Sequence, residues 1–124
     1  MKANDLKTGN FLFRHGFEVE IDSIQKELLA VKGEQFYNPI KFFEPISLNI
    51  DYLIRFGFKK GLNEGIDIYY LPFFSEWEIY QAGSGSFIFY HEHLDPRIWC
   101  KNIDYVHQLQ NIYALLIGTE LNCA

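Results

Sequence analysis

The residues most suggestive of chemistry lie close together in the second half of the sequence: His91, Glu92, His93 and Asp95. If the strand before them continues, His91 and His93 share a face with side chains roughly 6–7 Å apart, and Asp95 has the same parity. Two imidazoles and a carboxylate can bind zinc. The preceding phenylalanines have that parity too, so surface histidines at a strand end are the simpler interpretation. A metal site also needs a further ligand, for which the sequence offers Cys100 and His107.

The remaining reactive side chains form no catalytic motif. Gly83-Ser84-Gly85 has the glycines of a phosphate-binding loop, but a strand follows it in place of a helix and no lysine comes after the glycines. Glu76 and Glu78 alternate with apolar residues along a predicted strand and are expected to face solvent, whereas a general acid–base pair needs an apolar cleft. We therefore predict no catalytic residue and no cofactor, which favours a protein that is not an enzyme.

Aromatic residues are unusually frequent. The chain has 12 Phe, 8 Tyr and 2 Trp, more rings than a small core conveniently buries. Strand parity or loop position predicts that Tyr69, Phe74 and Tyr80 are exposed, which suits a contact with a protein partner or self-association. The alternative is a thin sheet-and-helix domain that uses aromatic residues as wide core side chains. The sequence leaves both interpretations open.

The net charge of −5 is unevenly distributed. Residues 1–62 carry a net charge of +1, whereas residues 63–124 carry −6. Nucleic-acid affinity depends mainly on cationic contacts to phosphates. The acidic half of the chain therefore disfavours nucleic-acid binding. The exception is a fold that brings five lysines onto one face, namely Lys26, Lys32, Lys41, Lys59 and Lys60.

The length and composition are typical of one globular domain. The chain has 124 residues, of which 48% are hydrophobic and 22% charged, enough to bury a core without a metal or a disulfide. It contains no run of 18 apolar residues and no apolar leader, so we predict neither a membrane span nor a signal peptide. Cys100 and Cys123 are expected to be reduced thiols, which favours a cytoplasmic location.

Short strands are predicted in the N-terminal region. Apolar and acidic residues alternate over residues 17–22, which is typical of a strand with one buried face. His15-Gly16 predicts a tight hairpin from residues 10–14 into this strand, and residues 28–32 predict a third strand. Residues 40–43 could supply a fourth strand, which gives the meander the character of a small barrel.

Two helices are predicted after this meander. Asn49 is a good N-cap and Gly57 a natural end for a short helix. Over residues 103–117 apolar residues recur at helical spacing, and Gly118 ends the pattern. We expect the apolar stripe of this C-terminal helix to lie over the second sheet, and the alternative is the seam of a homodimer.

These patterns together predict a single α+β domain over residues 1–124. Its expected parts are an antiparallel β-meander with small-barrel character, a short helix, a second antiparallel sheet and a C-terminal amphipathic helix packed on the sheet. The four parts occupy residues 1–44, 45–57, 58–100 and 101–118 in turn.

Three segments carry a family resemblance. Residues 4–10 read NDLKTGN, residues 45–49 read PISLN and lead into a helix that ends in FGF, and residues 105–121 read YVHQLQNIYALLIGTEL. In this order they resemble a family of small uncharacterised proteins from gut-commensal bacteria and their prophages or mobile elements. The resemblance implies a cytoplasmic accessory protein and supplies no assigned activity and no catalytic residue.

We therefore expect a non-enzymatic protein–protein interaction module of phage or mobile-element origin, whose partner is another protein or a second copy. Exposed aromatic residues and the acidic second half would form the contact. The first alternative is a small metal-binding protein or metal-dependent enzyme that uses His91, His93 and Asp95. The second alternative is nucleic-acid binding by the N-terminal barrel.

Overall fold

A computed structural model describes residues 1–95 and 99–121 of the chain. Their contacts form two compact units. The first unit comprises Met1–Ser47 with Tyr105–Glu120, and the second comprises the described residues of Leu48–Asp104 with Leu121. Each contains a five-stranded antiparallel sheet, which confirms the predicted α+β class with two antiparallel sheets. Among the described residues, no helix combines the length and apolar character needed to cross a membrane.

The sheet of the first unit is built from local hairpins. Its strands, in the spatial order β4-β3-β2-β1-β5, are β1 Phe11–Arg14, β2 Phe17–Gln25, β3 Leu28–Val31, β4 Tyr37–Pro39 and β5 Phe43–Glu44. His15 and Gly16 join β1 to β2 with φ angles of 53° and 81°. This is the pair of left-handed residues that a tight hairpin turn requires, so the predicted hairpin is confirmed.

This first sheet is strongly curled. β4 and β5 lie at opposite edges of the five strands, which would be about 19 Å apart in a flat sheet. A single 3-10 turn, Ile40–Phe42, connects them, and so short a connection reaches at most about 14 Å. The edges must therefore curl toward each other. The predicted barrel character is limited to this curl, because no ladder joins β4 to β5 among the described residues, and most of the strand expected at residues 40–43 is a turn.

The C-terminal helix, α2 (Val106–Leu116), belongs to the first unit and contacts β1. Val106, Leu109 and Tyr113 are fully buried, as their helical spacing predicts. The expectation that this helix lies over the second sheet is wrong. A hydrogen bond of 2.8 Å from the Val106 N–H to the Ile46 carbonyl links the start of α2 to the end of the segment Met1–Ser47. After the second unit the chain therefore rejoins the first unit.

The second unit begins with a short helix, α1 (Ile50–Arg55). The Asn49 side chain caps it by accepting a hydrogen bond of 2.9 Å from the Tyr52 N–H, as predicted. The strands that follow are β6 Lys59–Asn63, β7 Ile66–Tyr70, β8 Trp77–Gln81, β9 Phe87–His91 and β10 Lys101–Ile103, in the order β10-β9-β8-β7-β6. β10 takes up residues that the sequence pattern assigned to the C-terminal helix, so α2 starts later than predicted.

Both faces of this second sheet carry buried side chains. On one face Ile79 and Phe89 are fully buried, and Trp77 stacks parallel on Phe89 with ring centroids 5.1 Å apart. On the other face Glu78 and Tyr90 are buried cross-strand partners. Alternation along an antiparallel strand commonly separates a buried face from a solvated one. Here the second face forms part of a pocket.

Candidate functional site

A pocket of about 420 Å³ lies on the face of the second sheet that carries Glu78. We call it the tyrosine pocket, and it is lined by Asn63, Glu64, Ile66, Ile68, Tyr80, Tyr90, Glu92 and Leu94. Strands β6 to β9 each contribute to this lining. The volume falls within the range of about 300–1,000 Å³ that is usual for small-molecule sites. None of the lining residues is basic.

Glu78 is a buried carboxylate beside the tyrosine pocket, and it is only 5% exposed. Its Oε1 accepts a hydrogen bond of 2.5 Å from the Tyr90 hydroxyl and one of 3.2 Å from Nδ2 of Asn63. Both donors line the pocket. The expectation that Glu78 faces solvent is wrong, because the tyrosine and asparagine side chains cover the sheet face that it occupies.

The second carboxylate oxygen of Glu78 has a different environment. Both hydrogen bonds go to Oε1, and no described residue donates to Oε2. Glu64 and Glu92 bring two further carboxylates to the lining. Buried charged groups in proteins are normally paired and hydrogen-bonded. Oε2 is not one of the buried atoms that lack a partner, so solvent reaches it, and it is an acceptor open to a bound ligand.

Two tyrosines form the aromatic part of the pocket. The rings of Tyr80 and Tyr90 meet edge to face, with centroids 5.6 Å apart and planes at 71°. Burial, and then the hydrogen bond to Glu78, raise the pKa of Tyr90 well above its ordinary value. This hydroxyl therefore stays protonated at neutral pH and acts as a donor to Glu78, not as a phenolate nucleophile.

The β6–β7 hairpin places Glu64 at the pocket. Glu64 and Gly65 have φ angles of 52° and 80°, as in a tight two-residue turn. Glutamate seldom adopts this left-handed conformation, so the turn holds it there. Within β6, a Cβ atom at Gly61 would lie 3.2 Å from Cε1 of Tyr70. The missing side chain lets that tyrosine pack closely over the strand.

The histidine stretch is not arranged as the alternative metal site requires. β9 ends at His91, so His93 and Asp95 do not continue its face. Nδ1 of His91 accepts a hydrogen bond of 3.1 Å from the His93 N–H, and Nε2 of His93 lies 3.2 Å from Glu92 Oε1. The His91 and His93 rings are 5.5 Å apart. In the described part of the chain, however, no three His, Cys, Asp or Glu side chains are grouped so that they could hold a metal.

The aromatic residues predicted to be exposed are largely covered. Tyr69 is only 5% exposed, because it pairs with Ile79 on the buried face of the second sheet, so the prediction is wrong for this residue. Phe74 and Tyr80 are half-buried. Of the three, Tyr80 lines the tyrosine pocket.

Three phenylalanines of the first unit are exposed instead. We call Phe17, Phe36 and Phe42 the phenylalanine rim, and they are 75%, 77% and 46% exposed. Phe42 lines a groove of about 290 Å³ together with Arg14, His15, Glu34 and Asn38. Phe17 is the ladder partner of Arg14, and Phe36 lies two residues from both Glu34 and Asn38.

Sequence reasoning missed the phenylalanine rim. The alternation over residues 17–22 places Phe17 on the buried face with Ile21, but Phe17 is the first residue of β2 and follows the hairpin turn directly. Phe36 lies outside any periodic segment. The total excess of aromatic residues was the one signal available, and it did not indicate which rings are exposed.

An ion pair holds the groove of the first unit together. The guanidinium of Arg14 donates two hydrogen bonds to the carboxylate of Glu34. These bonds hold the pKa of Glu34 below its ordinary value. They also link the end of β1 to the loop between β3 and β4, so two walls of the groove are fixed in the absence of a partner.

The lysines do not share one face. Lys59 and Lys60 are consecutive residues of β6, and successive side chains of a strand point to opposite faces. Lys32 lies 3.6 Å from a carboxylate oxygen of Glu20, and Lys60 lies 3.3 Å from one of Asp67. Lys59 and Lys60 therefore do not lie on one face of the second sheet, and Lys32 and Lys60 each have an acidic neighbour.

The buried polar groups of the first unit form an amide network between the N-terminal segment and α2. The Gln110 side chain bonds to the backbone on both sides of Asn10. Its Oε1 accepts a hydrogen bond of 2.9 Å from the Phe11 N–H, and its Nε2 donates one of 2.9 Å to the Gly9 carbonyl. Asn10 accepts from the Lys7 N–H and donates to Asn111, both at 2.8 Å. The Asn111 amide in turn donates to the Asp5 carbonyl at 3.0 Å. Every member is uncharged, so this network positions the chain.

Comparisons of the chain with protein-family models, with curated proteins and with solved structures find no match.

Proposed function

We propose that this chain is a non-enzymatic protein–protein interaction module that binds a protein partner through the phenylalanine rim. The observation that carries the proposal is the exposure of Phe17, Phe36 and Phe42, of which Phe42 lines the groove and Phe17 is the ladder partner of the lining residue Arg14. Phenylalanine is among the residues most often buried in proteins, and an apolar patch with polar edges is typical of an interaction site. Covering the three rings removes apolar surface from water and so favours binding.

The groove favours an extended, apolar segment of a different protein as the occupant. β4 is an edge strand of the first sheet, so its outer backbone groups can pair with an added strand. Asn38 belongs to β4 and also lines the groove. Arg14 and Glu34 supply polar groups beside the phenylalanines, which is the composition of a protein interface with an apolar centre and a polar edge.

The biological setting is part of the same proposal. The resemblance of residues 4–10, 45–58 and 105–121 supports a cytoplasmic accessory protein of a prophage or mobile element. In that setting the partner is a protein of the same element or of its bacterial host.

The test compares capture of partner proteins by rim variants and by a matched control. Phe17→Ser and Phe36→Ser remove exposed rings of the rim, whereas Phe73→Ser removes a ring that is 92% exposed in the second unit. We expect a partner, once captured and purified, to bind the rim variants at least tenfold more weakly and the Phe73→Ser variant unchanged. All three variants should keep the wild-type melting temperature, since the rings are exposed.

Two results would contradict this proposal. One is equal binding of the partner by wild-type protein and both rim variants, and the other is a strict monomer in sedimentation velocity that captures no partner. A dimer that dissociates in the rim variants would instead identify a second copy of this chain as the occupant.

A further inference from the structure

We propose that the tyrosine pocket binds a small organic cation, a primary ammonium or guanidinium group carried on a short apolar stem. The proposal concerns the second unit and does not depend on the phenylalanine rim. It rests on the charge of the pocket lining, on the hydrogen bonding of Glu78 and on the tyrosine rings.

The carboxylates at the pocket decide the sign of the charge that a ligand should carry. Glu64 and Glu92 line the pocket, Glu78 lies beside it, and none of the lining residues within 1–95 and 99–121 is basic. Charges act on one another more strongly in a partly enclosed site than in bulk water. An anion would be repelled by the three carboxylates, and a neutral molecule would leave Glu64 and Glu78 without a counter-charge from the described residues. A cation is the ligand that the pocket favours.

Hydrogen bonding decides the kind of cation. Oε1 of Glu78 already accepts from Tyr90 and Asn63, whereas no described residue donates to Oε2. A primary ammonium has three N–H donors and a guanidinium has five, so either can satisfy this oxygen. A quaternary ammonium has none. The site therefore suits a cation that donates hydrogen bonds.

The other walls suit the rest of such a ligand. Tyr80 and Tyr90 both line the pocket, and an aromatic ring attracts a cation that lies over its face within about 6 Å of the ring centroid. Ile66, Ile68 and Leu94 supply apolar surface for an alkyl or aryl stem.

A purely structural role does not account for the charge of Glu78. A glutamine at this position could accept the same two hydrogen bonds, from Tyr90 and Asn63, without a buried charge. Taking a carboxylate out of water has a large desolvation cost unless a counter-charge is supplied. The described residues supply none, and Oε2 stays open to solvent, where a cationic ligand can supply it.

The experiment titrates the full chain with pentylamine and follows amide chemical shifts by NMR. Pentanol, which has the same stem without the charge, is the matched ligand control. We expect pentylamine to bind at least tenfold more tightly than pentanol, with the shifts centred on residues 63–68 and 78–92. Glu78→Gln should weaken pentylamine binding at least tenfold. Glu76→Gln, which removes an equal charge just before β8, should change it less than twofold.

A third variant keeps the test decisive if Glu78→Gln fails to fold. Glu64→Asn removes a charge from the pocket, and asparagine tolerates the left-handed conformation of this turn. We expect it to weaken pentylamine binding at least threefold with an unchanged circular dichroism spectrum. Equal binding of pentylamine and pentanol would overturn the proposal, as would equal weakening by Glu76→Gln and Glu78→Gln.

Two more ligands test where the cation comes from and whether it donates a hydrogen bond to Oε2 of Glu78. A capped tripeptide, acetyl-Gly-Lys-Gly-amide, carries the same ammonium on a protein side chain. If it binds as tightly as pentylamine, the cation is a lysine of a partner protein, and if it binds more weakly, the cation is a free amine. Pentyltrimethylammonium should bind at least tenfold more weakly than pentylamine. Equal binding of these two would overturn the assignment of Oε2 as the acceptor.

Discussion

The two units bury different kinds of polar side chain. In the first unit the buried polar residues are Asn10, Gln110 and His107. The two amides are matched by partners, whereas Nδ1 of His107 is buried without a described hydrogen-bond partner, and burial lowers the pKa of this imidazole. Among the described residues of the second unit the buried polar one is Glu78, whose two printed hydrogen bonds both go to Oε1. The first arrangement stabilises a fold, whereas the second provides a site for a ligand.

This difference follows from what each group does when nothing is bound. A neutral amide whose donor and acceptor are both satisfied contributes to stability and has no capacity left for a ligand. A carboxylate beside an open pocket retains charge and an acceptor at the expense of stability. Removing a buried amide of the first unit should therefore lower the free energy of unfolding, whereas removing the charge of Glu78 should not.

The largest expected effect is in the amide network of the first unit. Gln110→Met keeps the side-chain length and removes both hydrogen bonds, so it should lower the free energy of unfolding by about 2–4 kcal/mol. Urea denaturation followed by circular dichroism measures this change. Gln25→Met, at an exposed position of β2, should change it by less than about 0.5 kcal/mol. A Gln110→Met variant as stable as wild type would show that the network does not hold the N-terminal segment.

A smaller loss is expected when Glu78 loses its closest donor. Tyr90→Phe removes a hydrogen bond to a carboxylate and should lower the free energy of unfolding by about 1.5–3 kcal/mol. Adding Glu78→Gln to this variant should restore part of the loss, because the uncharged amide tolerates a missing donor better. The double-mutant cycle measures the coupling. Additive effects of the two substitutions would contradict the described hydrogen bond.

The effect of pH on the first unit should be smaller again. Burial lowers the pKa of His107 below the ordinary value, and nearby Asp5 opposes this shift. The unfolded chain therefore binds a proton at a higher pH than the folded chain. Stability is fully present above about pH 6.5 and decreases as the pH falls toward the lower pKa of the folded state, by at most about 1.4 kcal/mol per pH unit.

Urea denaturation at several pH values between 5 and 8 measures this slope. His107→Gln should flatten it, whereas His15→Asn, at an exposed position of the β1–β2 hairpin, should not. An unchanged slope in the His107→Gln variant would show that this imidazole is not held neutral by the fold.

The smallest expected change in the free energy of unfolding is that of Glu78→Gln, and it distinguishes the two units most clearly. Glu78→Gln keeps both acceptor bonds and removes a buried charge, so the free energy of unfolding should stay within about 0.5 kcal/mol of wild type or increase by up to about 1 kcal/mol. Thermal and urea unfolding both measure it. A loss of more than about 1 kcal/mol would mean that the carboxylate stabilises the fold, as the amides of the first unit do.

Much of the local structure could be predicted from sequence because it depends on neighbouring residues. The His15-Gly16 hairpin, the Asn49 cap and the buried stripe of α2 all follow from turn chemistry, capping and helical spacing. These features need contacts over a few residues only, which the sequence shows directly. The sequence pattern starts α2 too early, because no local signal distinguishes the residues of β10 from a first helical turn.

The candidate sites could not be predicted in the same way. Strand alternation predicts one buried face and one solvated face, but both faces of β8 are covered. Glu78 is buried because Tyr90 and Asn63, from other strands, donate to it. Phe17 is exposed although its parity matches that of the buried Ile21. Parity specifies the side of a strand and not what covers that side.

The amino-acid sequence by itself determined the class of this protein, its hairpins, its caps and the amphipathic character of its last helix, because each depends on residues a few positions apart. The tertiary structure alone decided which sheet α2 joins, how far the first sheet curls, and that three carboxylates and two tyrosines meet at one pocket. These outcomes depend on contacts between residues far apart in the chain, where the free energy of packing, not local propensity, selects the arrangement.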